Sequence, residues 1–117
     1  RLYIGTLNGA YKYNLVTGGI RVYNITTGLP HNAVGTIYQA KSGEVYIGTN
    51  SAYISKIVSD DIINLPIYDG LQVVEVNDIH EDEEGNIWFC SNGNGLFRLE
   101  DGGCKNVTTM NGLVSNY

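Results

Sequence analysis

One tetrapeptide pattern returns along this chain at a nearly constant interval. Tyr3-Ile4-Gly5-Thr6 comes back as Tyr46-Ile47-Gly48-Thr49 and again as Trp88-Phe89-Cys90-Ser91, at spacings of 43 and 42 residues. Gly28-Leu29, Gly70-Leu71 and Gly112-Leu113 keep an interval of 42. A fixed period in this range, filled with short strands and tight turns, marks a β-propeller blade, a small sheet that cannot bury its faces alone and leans on a neighbour. The expected fold class is therefore all-β: a β-propeller fragment built from four-stranded antiparallel blades of about 42 residues. At 117 residues the chain holds fewer than three full repeats. Closed propellers have about 4 to 8 blades, so a piece of a longer array is expected, with both ends cut.

Turn residues divide the chain. Asn8-Gly9 signals a hairpin between strands at Leu2 to Thr6 and Ala10 to Asn14, and Thr17-Gly18-Gly19 leads into a third strand, Ile20 to Ile25. Residues 1–27 thus read as a partial blade of three outer strands, lacking its innermost one. A complete blade follows over 28–69, with strands at Ala33 to Gln39, Glu44 to Thr49, Ala52 to Ile57 and Ile62 to Tyr68, and a turn at Asp60-Asp61. A second complete blade spans 70–111, with strands at Val76 to Glu81, Asn86 to Ser91, Leu96 to Glu100 and Lys105 to Thr109; residues 112–117 start another repeat. Asn92-Gly93-Asn94-Gly95 reads as two residues longer than its counterparts. Aligned at the period, Tyr23, Leu65 and Val107 superpose, as do Ile25, Ile67 and Thr109, Val34 and Val76, and Ile37 and Ile79. Alternation repeated at the period marks these as core positions.

Charge narrows the partners. Seven Lys and Arg against twelve Asp and Glu give a net charge of −5, which opposes a phosphate-binding surface and makes nucleic acid a poor partner. The segment contains no apolar run near the roughly 18 residues of a membrane span, so no membrane contact is expected of it. Cys90 and Cys104 fall at opposite ends of a blade, on the order of 17 to 20 Å apart at strand rise. A disulfide needs Cα atoms within about 7 Å, so no bond between them is expected.

Gly28-Leu29-Pro30-His31-Asn32-Ala33-Val34, then Ile37, Gly43 and Tyr46-Ile47-Gly48-Thr49, resembles the two-component regulator propeller repeat. That repeat runs Gly-Leu-Pro/Ser, Ser, Asn, any residue, Val, two variable residues, Ile, Glu-Asp, a Gly-Asn turn, Leu/Ile-Trp-Ile-Gly-Thr and a Gly-Leu strand. Asp69-Gly70-Leu71 to Leu99 matches too, with Val76, Ile79, Glu81-Asp82, Gly85-Asn86-Ile87-Trp88 and Gly95-Leu96 in place. Departures are Gln39-Ala40 for the Glu-Asp pair, Tyr3 and Tyr46 for the Trp, and Phe89-Cys90-Ser91 for Ile-Gly-Thr. The resemblance implies the periplasmic sensor propeller of a Bacteroides-type hybrid two-component sensor histidine kinase, anchored in the inner membrane. Its implied ligand is an oligosaccharide and its implied partners are the remaining blades of the parent. It implies no cofactor, and any catalysis would belong to the kinase elsewhere.

Blade topology places His31, Asn32, Asn50, Ser51, Asn92 and Asn94 at one end, and the acidic turns around Asp60-Asp61, Asp82-Glu83-Glu84 and Glu100-Asp101 at the other. Neutral donors and acceptors suit an uncharged glycan, so the first group is the candidate ligand site. Asn also serves turns simply by tolerating φ > 0. Tyr3, Tyr46 and Trp88, at one repeat position, could stack on a sugar ring but are read as filling the gap between blades, and Gly28, Gly70 and Gly112 as framework positions. His31 and His80 lack companions at metal-ligand spacing, and Asp82-Glu83-Glu84-Gly85-Asn86 lacks the alternating oxygens of a calcium loop, so no metal site is expected. No catalytic motif is found. A propeller lyase of the streptogramin-inactivating kind and a propeller scaffold for protein contacts are the alternatives. Bare faces and edges at the cut ends are expected to drive self-association.

Overall fold

The computed structural model describes residues 2–67, 73–91, 95–100 and 103–107. These residues fold into three separate antiparallel sheets, in chain order, and no helix occurs among them. In the first sheet β1 (Leu2–Thr6), β2 (Gly9–Tyr13) and β3 (Ile20–Tyr23) lie side by side in that order. Leu7 and Asn8 make the first hairpin turn, and Gly9, at φ 107°, opens β2 opposite Thr6 rather than sitting in the turn as expected. The Thr6 hydroxyl accepts from the Asn8 N–H and donates to the Gly9 carbonyl, closing the turn.

β3 stops two residues short of the expected boundary. The Asn24 carboxamide oxygen accepts from the N–H groups of Thr26 and Thr27, and its backbone carbonyl accepts from Thr27 and Leu29. Those local bonds compete with the ladder and fold 24–29 into a turn. Ile25, expected in the core beside Ile67, is consequently 57% exposed, whereas Ile67 is fully buried.

The second sheet orders β4 (Val34–Gln39), β5 (Val45–Ser51), β6 (Tyr53–Val58) and β7 (Asp61–Pro66) as they occur in the chain. Ser59 and Asp60, both left-handed at φ 50° and 68°, form the last turn, one residue earlier than expected, because Asp61 already pairs with Val58. An unexpected short strand, β8 (Val74–Glu75), pairs with the end of β5 through Asn50 and Ser51. The third sheet holds β9 (Asp78–Glu81), β10 (Ile87–Ser91), β11 (Gly95–Glu100) and β12 (Gly103–Asn106). Cys90 pairs with Leu96 as Gly48 pairs with Ile54, whereas Gly5 pairs with Ala10, so the β10–β11 connection equals that of the second sheet and is one residue, not two, longer than that of the first. Both cysteines are free.

Cross-strand partners share a face, which assigns each sheet two sides. Tyr3, Ala10 and Tyr23 of the first sheet pack on Val34, Ile37, Val45, Ile47, Ile57 and Ile62 of the second, joined by Leu29. Tyr38, Tyr46, Ile54, Leu65 and Ile67 on the other side of the second sheet pack on Val76, Ile79, Ile87, Phe89, Phe97, Leu99 and Cys104 of the third. Both contacts therefore use the same pair of faces, repeated one blade along. The architecture is that of a β-propeller segment.

A polar latch ties the first two sheets together at the β6–β7 turn. Asp60 Oδ1 accepts from Lys12 Nζ and from the Tyr23 hydroxyl at 2.9 Å, with Arg21 at 3.9 Å. The Lys12 and Tyr23 hydrogen bonds hold the Asp60 carboxyl below its ordinary value, against a smaller opposing effect of desolvation. Since Asp60 is partly exposed, Asp60→Ala should cost only about 1 kcal/mol at neutral pH. A lowered folded-state pKa means the contribution is complete above the unfolded value of about 4 and vanishes as pH falls through the folded value. Urea titrations of the two proteins should therefore differ at pH 7 and converge in strong acid; a gap that persists there would mean that the carboxylate's charge is not what matters.

Candidate functional site

Antiparallel pairing of Val34 with Thr49 brings the loop before β4 beside the turn after β5. His31, Asn32, Asn50 and Ser51 are thereby gathered at one end of the second sheet. The Gly9 N–H donates to the Asn32 carbonyl at 2.6 Å, so the β1–β2 turn joins the same end. Asn50 and Ser51 pair in turn with Glu75 and Val74, so each loop leading into a blade is bonded to the preceding blade's hairpin.

Within this group the side chains divide by what they already hold. The Ser51 hydroxyl is buried, shares a 2.9 Å hydrogen bond with Thr49 Oγ1, and accepts from the Tyr53 N–H at 3.1 Å, which fixes the β5–β6 turn. The Asn32 carboxamide oxygen accepts from the Ile25 N–H, and His31 Nδ1 accepts from the Ala33 N–H at 3.0 Å. The ring Nε2 of His31 and the amide NH₂ of Asn32 take no part in those two bonds. Asn50 is exposed on the strand that pairs with β8. Asn92 and Asn94, like Gly70 and Gly112, lie outside the described residues.

Two residues at this end were missed in the sequence. Asn8 sits exposed in the β1–β2 turn, 43 residues before Ser51, and Glu75 is exposed opposite Asn50. The hairpin signal at Asn8 hid its position at the site. Nothing in the sequence announced that residues 74 and 75 would form a strand. Glu75 adds a carboxylate to an end read as purely neutral. A carboxylate beside amides can accept from sugar hydroxyls while the amides donate and accept.

The aromatic repeat positions lie away from this end. Tyr46 is buried between the second and third sheets and donates to Glu44 Oε1 at 2.9 Å; burial first, then that bond, raises its pKa. Tyr3 packs against the core between the first two sheets. Trp88 occupies the outer face of the third, with its Nε1–H on Asp82 Oδ2 at 2.9 Å and the Arg98 guanidinium 5.7 Å from its ring. Gly28, exposed at φ 125°, turns the chain toward β4.

Asp82 organises the acidic turn of the third blade. It accepts from Trp88, from the Glu84 and Asn86 N–H groups and from the Asn86 amide. With Trp88 the largest contributor, these bonds pull the Asp82 carboxyl down to about 2. Its share of stability is present above the unfolded value of about 4 and lost as pH falls through about 2. An NMR titration of its carboxyl carbon should find no inflection above pH 3, roughly a unit below an unperturbed Asp; an inflection near 4 would show the turn unformed. Two cavities, of about 240 and 300 Å³, also open at this acidic end between successive sheets. Among the described residues no three His, Cys, Asp or Glu gather as a metal site would require.

Residues 28–51 and 70–93 each match the model of the two-component regulator propeller. Two stretches of the chain are thus similar to the two-component regulator propeller repeat. Among solved structures, the extracellular domain of a B. thetaiotaomicron protein described as a hybrid two-component system aligns at 24% identity with a TM-score of 0.74, covering 89% of this chain and 15% of that one. A second such extracellular domain from B. thetaiotaomicron aligns at 23% identity with a TM-score of 0.67, covering 88% and 14%. Virginiamycin B lyase from Staphylococcus aureus aligns at 27% identity with a TM-score of 0.68, covering 85% and 33%. No curated protein matches the chain. The chain thus spans about 15% of the length of the extracellular domains it resembles.

Proposed function

We propose that this chain is a segment of a ligand-sensing propeller, the periplasmic part of an inner-membrane hybrid two-component sensor histidine kinase, and is not itself catalytic. The observation that carries the reading is the pair of regulator propeller repeats, set in a fold shared with extracellular domains of hybrid two-component systems. The ligand class is an oligosaccharide, met at the end formed by Asn8, His31, Asn32 and Asn50, with Glu75 beside them. Amide, imidazole and carboxylate groups at one end of successive blades offer both donors and acceptors to sugar hydroxyls, and Ser51 and the Asn24 turn hold their backbone in place.

Calorimetric titration of the whole extracellular region with a panel of glycan fragments should find one that binds at micromolar concentration without being consumed. Asn50→Ala combined with His31→Ala should weaken that binding about tenfold, the loss of roughly one or two net hydrogen bonds. A panel without a binder would sink the glycan assignment, and unchanged affinity in the double variant would sink the site.

The likeness to virginiamycin B lyase supports a second reading, a propeller lyase. It needs a histidine backed by an acid at the ligand end. Here His80 pairs with Asp78 on the outer face of the third sheet, and His31 spends Nδ1 on its own loop. Conversion of a cyclic streptogramin by the full protein would establish the lyase and overturn the sensor.

A further inference from the structure

We propose that the cavity between the second and third sheets is a binding site for a small organic carboxylate, held by Lys56. The site lies at the acidic end of the blades, away from the amide-rich end, and rests on neither the glycan nor the sensor reading.

Lys12 and Lys56 hold one repeat position. Each stands across its hairpin from the aromatic repeat residue, Lys12 from Tyr3 and Lys56 from Tyr46, on the face that packs on the next sheet. At the first junction the Lys12 ammonium is satisfied: it donates to Asp60 in the β6–β7 turn of the next sheet, and the Tyr23 hydroxyl donates to the same oxygen at 2.9 Å. Neither partner is repeated at the second junction. Leu65 stands at the place of Tyr23, since Ala10 pairs with Tyr23 and Ile54 with Leu65. Counted from the strand pairs that close the two turns, Val58 with Asp61 and Glu100 with Gly103, the sequence has Gly102 for Asp60. Lys56, half-buried, is left without a hydrogen bond or ion pair among the described residues.

Beside it lies the cavity of about 240 Å³, lined by Lys56, the buried Tyr46, Asn86 and the wall of Leu65, Ile87 and Leu99. The carboxylates of the chain at this place are already committed. Glu100, at the rim, accepts from Arg98 at 2.6 Å, and Glu44 accepts from the Tyr46 hydroxyl at 2.9 Å. An unpaired cation partly withdrawn from water is costly, and a concave site with a few convergent polar groups is where a small molecule is held. The complement is a carboxylate because that is what Asp60 presents to Lys12, and a charge-assisted hydrogen bond is roughly twice as strong as a neutral one. Bound there, it would tie the third sheet to the second as Asp60 ties the second to the first.

Calorimetric titration of the chain with two matched pairs, lactate against lactamide and benzoate against benzamide, tests this. At least one carboxylate should bind at about millimolar concentration, and its amide at least about tenfold more weakly. Lys56→Met keeps an unbranched apolar stem and removes the charge; it should weaken the carboxylate about tenfold and leave the amide unchanged. If that variant melts early, backbone amide shifts of the parent chain give the same answer. The carboxylate should then move the signals of Lys56, Gly85 and Asn86 and leave those of Lys12 and Asp60 in place, because the first junction holds a carboxylate of its own. Silence from both carboxylates, equal affinity for acid and amide, unchanged affinity in Lys56→Met, or shifts gathered at Lys12 and Asp60 would each overturn the proposal.

Discussion

Phe89→Ala should remove about 3 to 5 kcal/mol of stability, the usual cost of emptying a buried phenylalanine site. Phe89 is 1% exposed and lies against Phe97, ring centroids 4.9 Å apart and planes within 5°. Ile54, Ile67, Val76 and Ile79 close the cluster between the second and third sheets. A domain of this length is stable by roughly 6 to 18 kcal/mol at about 0.05 to 0.15 per residue, so the loss is a large share of the whole. Ile4, at the same repeat position, is 48% exposed on the first sheet. Ile4→Ala, measured at concentrations where the chain is monomeric, should change stability by no more than about 0.5 kcal/mol. One repeat position with opposite costs follows only if the sheets are stacked in order with the first face open. Equal costs in chemical denaturation would contradict that stacking.

Gly48→Ala is the second large effect, through crowding rather than a void. The backbone of Gly48 is not left-handed, so its residue type is not set by φ. It is set by approach: an added Cβ would meet Val76 Cβ and Cγ1 at 2.7 Å and Thr36 Cγ2 at 2.8 Å. Both neighbours are short and branched and have no flexible end to move aside. A loss of about 2 to 3 kcal/mol is expected, typical of overpacking. Val76→Ala should be costly alone, yet the double variant should lose less than the sum of the two singles. Strict additivity in urea melts would mean that Gly48 and Val76 do not face each other.

Strand positions were legible because turn glycines and the period both mark them: β1 was expected from Leu2 to Thr6 and lies there. The free cysteines were legible because strand rise alone keeps Cys90 from Cys104. Ile25 was misplaced because Asn24 bonds to its own turn, a side-chain competition that a repeat alignment does not weigh. β8 was missed because two residues pairing with the preceding blade carry no periodicity of their own. For the candidate end, topology brought together residues far apart in sequence, but it could not reveal that Ser51 is spent on its turn or that Glu75 stands opposite Asn50.

The central claim is that the three matching segments are separate sheets, each leaning on the next through its motif glycine. A nuclear Overhauser map of the monomeric chain tests it directly. Cross-peaks should connect the methyls of Val34 to the α-protons of Gly5, and those of Val76 to the α-protons of Gly48, since those groups are in van der Waals contact. If those peaks are missing, and backbone peaks instead join β3 edge to edge with β4 in one continuous sheet, the stacked-blade account is wrong.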